Sequence, residues 1–379
     1  MGNKSPIHPA LFLGLGFIAA VFMSGCIERP SMAQSKNQYA VGFSIEQDGV
    51  VTKLSVINPW EKARQVQVDY FLVPRDSIVP EFLSSRKVIR TPINRIVCLS
   101  TTHIAFIDAI GETDKIVGLS GSRFVSHPEV LKRVEEGLIA DVGYGQNLNF
   151  EAIISLQPDV VMVYGVDSEI IGFLNKFDDL GITAVLNAEY LENSPLGKAE
   201  WVKFVGTFFN KRVQSDSLFT SIADAYNHLV SSHSRQAVKP NVMVGLPYRE
   251  SWWVPGGNSF MAKLVADAGG DYLGKNQPSL ESFIISYEEA LIWASQADVW
   301  LNTGTVRTAK EMVDIDSRFE KFGVFSTGKI YNNNLRMSPG GGYDFWERGT
   351  MEPHLILSDL IAIFHSSYPD SLHYYLKIK

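Results

Sequence analysis

Aromatic rings, arginines and glycines crowd into two short stretches of this 379-residue chain. One contains Tyr248-Arg249 and, two residues on, Ser251-Trp252-Trp253-Val254-Pro255-Gly256-Gly257-Asn258-Ser259. The other is Gly340-Gly341-Gly342-Tyr343-Asp344-Phe345-Trp346-Glu347-Arg348-Gly349. Trp and Tyr faces stack on planar groups and cover apolar edges. Arg pairs with carboxylate, catecholate or hydroxamate oxygens. Neighbouring glycines give a loop backbone its freedom. Such chemistry suits a large, flat or metal-bearing ligand. Tyr248, Arg249, Trp252, Trp253, Tyr343, Trp346 and Arg348 are therefore the candidates for the C-terminal side of a cleft. His103, Arg123, Tyr144 and Tyr164 are chosen for its N-terminal side, because each falls near the end of an expected strand. Packing in a lobe core is the competing reading for every one of the aromatics.

Other chemistries lack their residues. There is no G-x-S-x-G elbow, no G-x-x-x-x-G-K-[ST] loop and no H-E-x-x-H. No catalytic residue is assigned, and an enzyme on a doubly wound fold is kept only as an alternative. A zinc or manganese site needs three or four convergent His, Asp or Glu ligands. The eight histidines form no His-rich acidic loop and no close pair on a plausible helix face, so a zinc- or manganese-binding protein is likewise only an alternative. With 34 Lys and Arg against 41 Asp and Glu, the net charge of −7 argues against nucleic acid as the main partner.

The elements that must position these residues begin with an address. Lys4 precedes an uncharged apolar run from Ala10 to Met23, shorter than a spanning helix but suited to a signal peptide. The run ends in Met23-Ser24-Gly25-Cys26, which resembles a bacterial lipoprotein cleavage box. That resemblance makes 1–25 the signal peptide and Cys26 the lipidated first residue of a chain anchored in the bacterial cell envelope, facing the periplasm or the surface. Cys98, in Ile96-Val97-Cys98-Leu99, reads as a buried strand residue rather than a nucleophile. Residues 26–38 are polar and small, as a tether needs. Residues 39–91 alternate apolar and polar, with Asp48-Gly49 as a hairpin signal between Phe43/Ile45 and Leu54/Val56. Gln65–Val73 is a third strand, and the segment is expected to form a small β add-on.

From about residue 92 short apolar runs alternate with helical stretches, the pattern of a parallel sheet covered by helices. Strands are expected at 95–99, 115–119, 159–164 and 183–186, then at 241–246, 298–301 and 329–332. Between them, at 197–236, helical periodicity takes over, with a break near Asn210. The fold class is thus α/β: two doubly wound lobes, 92–196 and 237–379, joined by one long helix and preceded by the β add-on. Ligands of open α/β sheets bind beyond the carboxyl ends of the strands, so two such lobes should enclose a cleft between them.

One stretch carries a more specific signal: Asn149-Phe150-Glu151-Ala152-Ile153-Ile154-Ser155-Leu156-Gln157-Pro158-Asp159-Val160-Val161. It is similar to the first-lobe motif Asn-Leu-Glu-x-Ile-x-x-Leu-x-Pro-Asp-Leu-Val of the periplasmic binding proteins that serve ABC importers of iron–siderophores, haem and cobalamin. Ser286-Tyr287-Glu288-Glu289-Ala290-Leu291-Ile292-Trp293 is a partial second-lobe echo. Apolar residues follow Glu288 in the same phase as they follow Glu151. The run to Asp298 is two residues longer than its first-lobe counterpart, which leaves Glu289 open. The resemblance spans about 93–369. It implies a substrate-binding lipoprotein, not an enzyme, that captures an iron–siderophore or cobalamin, or less readily haem, and carries no cofactor of its own. It implies an ABC permease with its ATPase as partner, with Glu151 and Glu288 docking onto permease arginines, and a monomer. Among haem-binding relatives a histidine placed like His103 could be an axial ligand. A lipoprotein that presents or relays ligand at the surface is a further reading, and the β add-on is where such a role would reside.

Overall fold

The computed structural model describes residues 33–233, 238–247, 251–366 and 371–379. The signal peptide, Cys26, Tyr248 and Arg249 lie outside the described residues. None of the described helices is long and apolar enough to cross a membrane.

The N-terminal module is a five-stranded sheet in sequential order: β1 (Ala33–Ser35), β2 (Phe43–Asp48), β3 (Val51–Ile57), β4 (Gln67–Pro74) and β5 (Val88–Thr91). The expected hairpin is present, with Asp48 paired to Val51 across a turn in which Gly49 has a left-handed φ of 55°. The sheet is antiparallel except for the parallel pairing of β4 with β5. It starts inside the segment read as tether, at β1, and has five strands where the periodicity picked out three.

In the first lobe β6 (Ile96–Cys98), α1 (Thr102–Ala109), β7 (Ile116–Leu119), α2 (Pro128–Glu135), β8 (Ala140–Asp141), α3 (Phe150–Ser155), β9 (Val160–Val163), α4 (Ile170–Asp179) and β10 (Ala184–Leu186) alternate. The strands form an all-parallel sheet in the order β10-β9-β6-β7-β8. β6 and β9 are buried along their whole length, which is why they read as unbroken apolar runs. Cys98 is one of these buried residues, and burial pushes its thiol pKa up.

The linking helices expected over 197–236 are α5 (Pro195–Phe208) and α6 (Arg212–His233), of which α6 is the long one. The break falls where it was expected, at Asn210, whose φ is +57°. At 22 residues, α6 is about 33 Å long at 1.5 Å per residue. All 14 residues of α5 are buried.

The second lobe follows with β11 (Asn241–Val244), β12 (Trp252–Val254), α7 (Phe260–Asp267), β13 (Asp271–Tyr272), β14 (Phe283–Ile285), α8 (Tyr287–Gln296), β15 (Val299–Leu301), α9 (Ala309–Ile315), α10 (Gly323–Thr327), β16 (Ile330–Asn332), α11 (Pro353–His365) and β17 (Leu376–Lys377). Its main sheet runs β13-β11-β15-β16-β17, parallel apart from β17, while β12 and β14 form a separate antiparallel pair.

The module is riveted to the body through α5. Glu200, wholly buried, accepts the backbone N–H groups of Gln38, Tyr39 and Ala40 at 2.7–3.1 Å. Glu192 accepts those of Val41 and Gly42 and the indole N–H of Trp201 at 2.9 Å. Beneath them Phe43 packs on Trp201 (ring centroids 4.9 Å apart) and Phe204 (5.6 Å). Each fully buried side chain of this kind contributes roughly 1.5–3 kcal/mol. At the first lobe's edge the Tyr70 hydroxyl accepts the N–H of Leu186 at 2.9 Å.

Candidate functional site

A cleft of about 530 Å³ opens between the two lobes. Its walls are the loops that leave the carboxyl ends of the parallel strands. Leu99 follows β6, Ser120 follows β7, Tyr144 lies beyond β8 and Tyr164 follows β9; from the second lobe, Asn302 follows β15 and Asn333 follows β16. This is where an open α/β sheet leaves its strand ends free for a ligand. The glycine-rich segment before α11 closes the far side with Tyr343 and Trp346.

The described lining is aromatic, hydroxylic and amidic. Tyr144 is 55% exposed, Trp346 42% and Tyr164 37%, so their rings are free to meet a ligand. Ser100, Thr101, Thr305, Asn302 and Asn333 supply donors and acceptors. Among the described residues that line the cleft, none is charged. Asn302 stands in left-handed conformation (φ +55°), with its side-chain oxygen buried and without a hydrogen-bond partner.

Of the residues chosen from the sequence, Tyr144, Tyr164, Tyr343 and Trp346 line the cleft. The others described do not. His103 lies in the first turn of α1, fully buried, with its ring edge-on to Tyr164 at 6.5 Å. Neither ring nitrogen has a partner, and burial lowers its pKa to about 3. It therefore supports Tyr164 from behind as a neutral ring instead of facing the cleft. Trp252 is 2% exposed and stacks on Trp300 at 6.0 Å in the second-lobe core. Strand alternation puts Trp252 inside and turns Trp253 outward. Trp253 lines a neighbouring chamber instead of the cleft. Arg123 lays its guanidinium over the Phe124 ring at 4.4 Å, and it is Phe124 that reaches the cleft. Arg348 is held by Asp344 in a two-point pair, Nε to Oδ1 at 2.8 Å and Nη2 to Oδ2 at 2.6 Å.

The lobes meet along a seam beside the cleft that the sequence did not announce. Glu347, 1% exposed, accepts the backbone N–H groups of Ser126 and His127, each at 2.8 Å. Burial raises the Glu347 carboxyl to about 7, and Asp344 adds to the rise. The His127 imidazole is 3.0 Å from Asp108, and this hydrogen bond raises the His127 pKa and lowers that of Asp108. Gly340 and Gly342 pass so close to the carbonyl oxygens of Arg123 and Phe124 that a Cβ at either would lie within 2 Å of them (1.9 and 1.7 Å). Glycine at these positions lets the second lobe touch the first.

Glu151 and Glu288 occupy matching places. Asn149 caps α3 by accepting the Ala152 N–H (3.0 Å), and Ser286 caps α8 by accepting the Glu289 N–H (3.1 Å). Each glutamate is the second residue after its cap, exposed in the first helical turn, where a carboxylate is favoured by the helix dipole. Glu289 sits one position further on.

Residues 96–317 match the family model described as periplasmic binding protein. A lipoprotein of Methanocaldococcus jannaschii is 27% identical over 407 aligned residues, covering 96% of this chain and 94% of its own. Among solved structures, a periplasmic haem-binding protein from Pseudomonas aeruginosa superposes with a TM-score of 0.58 at 16% identity, covering 76% of this chain and 98% of its own. A possible iron-binding (periplasmic solute-binding) protein from Staphylococcus epidermidis gives 0.56 at 18% identity, covering 72% and 99%. The two structures share the fold.

Proposed function

The chain belongs to the periplasmic binding protein family, and from that premise we propose that it captures a bulky metal chelate in the interlobe cleft and delivers it to an ABC importer. The cleft carries this reading. Its volume of about 530 Å³ lies within the usual range for small-molecule sites, roughly 300–1,000 Å³. Its aromatic rings suit a flat macrocycle, and its hydroxyls and amides suit a periphery rich in amides. A strongly anionic chelate would call for cations, and the described lining offers none. A corrinoid therefore fits better than a ferric catecholate or a haem with its two propionates. A zinc or manganese cargo is disfavoured for a separate reason. Among the described residues no group of three or more His, Cys, Asp and Glu could hold a metal ion.

In this reading Glu151 and Glu288 form a two-point register for basic residues of a permease, and the paired ATPase drives release. Cys26 is the lipid attachment that holds the monomer on the cell envelope, in keeping with the lipoprotein relative. The test is a thermal-shift panel of cyanocobalamin, dicyanocobinamide, haemin and ferric desferrioxamine. A ligand that binds the native state raises the melting temperature by mass action. A corrinoid should give the largest rise. A panel in which no chelate moves the melting temperature, and none binds in equilibrium dialysis, sinks the proposal.

A further inference from the structure

A second hollow, about 940 Å³, adjoins the cleft. Asn302 and Trp346 line both spaces. Its lining comes from the two lobes and from the N-terminal module, chiefly the loop between β3 and β4 at residues 58–64. That loop lies outside the residues that match the family model, 96–317. The M. jannaschii lipoprotein aligns over 96% of this chain, so its alignment runs through the module as well.

The loop is held in an unusual shape. Asn58, Lys62 and Gln65 all have left-handed φ angles, 48°, 62° and 58°. Non-glycine residues rarely adopt that region, and Asn58 exchanges hydrogen bonds with Val66 to close the loop. The Glu61 N–H donates to the Val166 carbonyl at 3.0 Å, fixing the loop to the first lobe.

The chemistry around the hollow falls into three parts. Trp253, 51% exposed, and Trp346, 42% exposed, bring two indoles to it. Lys62 and Arg64 line it from the module; Arg64 donates to the Ala63 carbonyl at 2.7 Å, and Lys62 offsets part of the rise in the Glu61 pKa. Glu61 on the module and Glu281 on the second lobe bring two carboxylates to the same space, near enough that Glu281 contributes to raising the Glu61 pKa after burial. Indoles stack on planar rings, cations take an anionic linkage, and carboxylates accept from hydroxyl groups. A planar base, an anionic linkage and a hydroxylated sugar are the parts of a nucleotide.

We propose that this hollow is a second compartment of the ligand site, built by the N-terminal module, and that it receives a nucleotide-like appendage of the chelate whose body fills the cleft. The inference rests on the cleft being the chelate site. It makes the module a specificity element that discriminates between chelates with and without the appendage.

Cyanocobalamin and dicyanocobinamide test it, since they share a corrin body and differ in the appended nucleotide. Titration calorimetry of the full chain should show cyanocobalamin binding at least about tenfold more tightly. Trp253→Ala should remove most of that preference, and Lys62→Ser with Arg64→Ser should do the same. Dicyanocobinamide affinity should stay within about twofold in both variants. The two variants alter an exposed ring and two exposed-loop cations separately, so misfolding of one leaves the other to decide. Equal affinity of the wild type for both corrinoids overturns the proposal, as does equal weakening of both in the variants. Binding of haemin or ferric desferrioxamine with no corrinoid binding overturns it too, while leaving the chelate-capture reading intact. Binding of none of the four probes removes that reading and this one together.

Discussion

The carboxylate of Glu347, in the second lobe, accepts the backbone N–H of His127, in the first, at 2.8 Å. With the parallel bond from Ser126 it makes a buried two-point clasp across the lobes. A buried carboxyl with a raised pKa weakens folding as pH climbs. Below the unfolded value of about 4.5 both states are protonated; between there and about 7 the unfolded chain ionises first. The expected cost across that window is on the order of 3 kcal/mol. Glu347→Gln should flatten the fall in melting temperature between pH 5 and 7, while losing one of the two clasp bonds. A variant whose pH profile overlays the wild type contradicts the assignment.

His103 works in the opposite direction. Its folded pKa is depressed to about 3 by burial, so the folded state binds fewer protons than the unfolded one between pH 3 and 6.5. Stability from this group is complete above the unfolded value and is lost as pH falls. At pH 4.5 the loss is about 2–3 kcal/mol. Replacing a buried group whose polar atoms have no partners by an apolar ring of similar shape is close to neutral or stabilising. His103→Phe should therefore match or exceed the wild type at pH 7 and outlast it at pH 4.5 in thermal melts. Haemin, if bound, should keep its absorption spectrum in the variant, because the imidazole does not reach the cleft.

Glu200→Ala leaves the N–H groups of Gln38, Tyr39 and Ala40 without their acceptor and strips Lys203 of a partner at 3.1 Å. Loss of a buried, multiply bonded carboxylate should cost about 3–5 kcal/mol. Urea denaturation reads this directly as a lowered midpoint with an unchanged slope. A change below about 1 kcal/mol would show that the module is held by its apolar contacts alone.

Uptake separates capture from delivery. Glu151→Ala with Glu288→Ala alters two exposed residues away from the cleft lining, so chelate affinity should stay within about twofold. Transport through the importer should fall at least about tenfold, because the two-point register is gone. Glu289→Ala alone should leave transport near wild type. Normal uptake by the double variant refutes the docking role.

The sequence disclosed the lobes well and the site only in part. Parallel strands buried on both faces, such as Val160–Val163, are plain apolar runs, and all seven strands expected in the lobes are present within a residue or two. Tyr144, Tyr164, Tyr343 and Trp346 were legible because they follow strands or sit in a glycine-rich loop. Adjacent Trp252 and Trp253 could not be told apart by type; only the strand's alternation assigns one to the core and the other to the surface. Ser100, Thr101, Asn302 and Asn333 gave no signal, since small polar residues after a strand are ordinary loop composition. The clasp residue Glu347 lay inside a stretch singled out for its rings. Its partners are backbone groups more than 200 residues away, a pairing that no local pattern encodes.

The burial of α5 on every side decides how the polypeptide can be divided. Trimming away residues 33–91 to leave a minimal two-lobed protein would uncover Trp201 and Phe204 and strip Glu192 and Glu200 of their backbone donors. Such a truncation should aggregate instead of yielding a smaller binder.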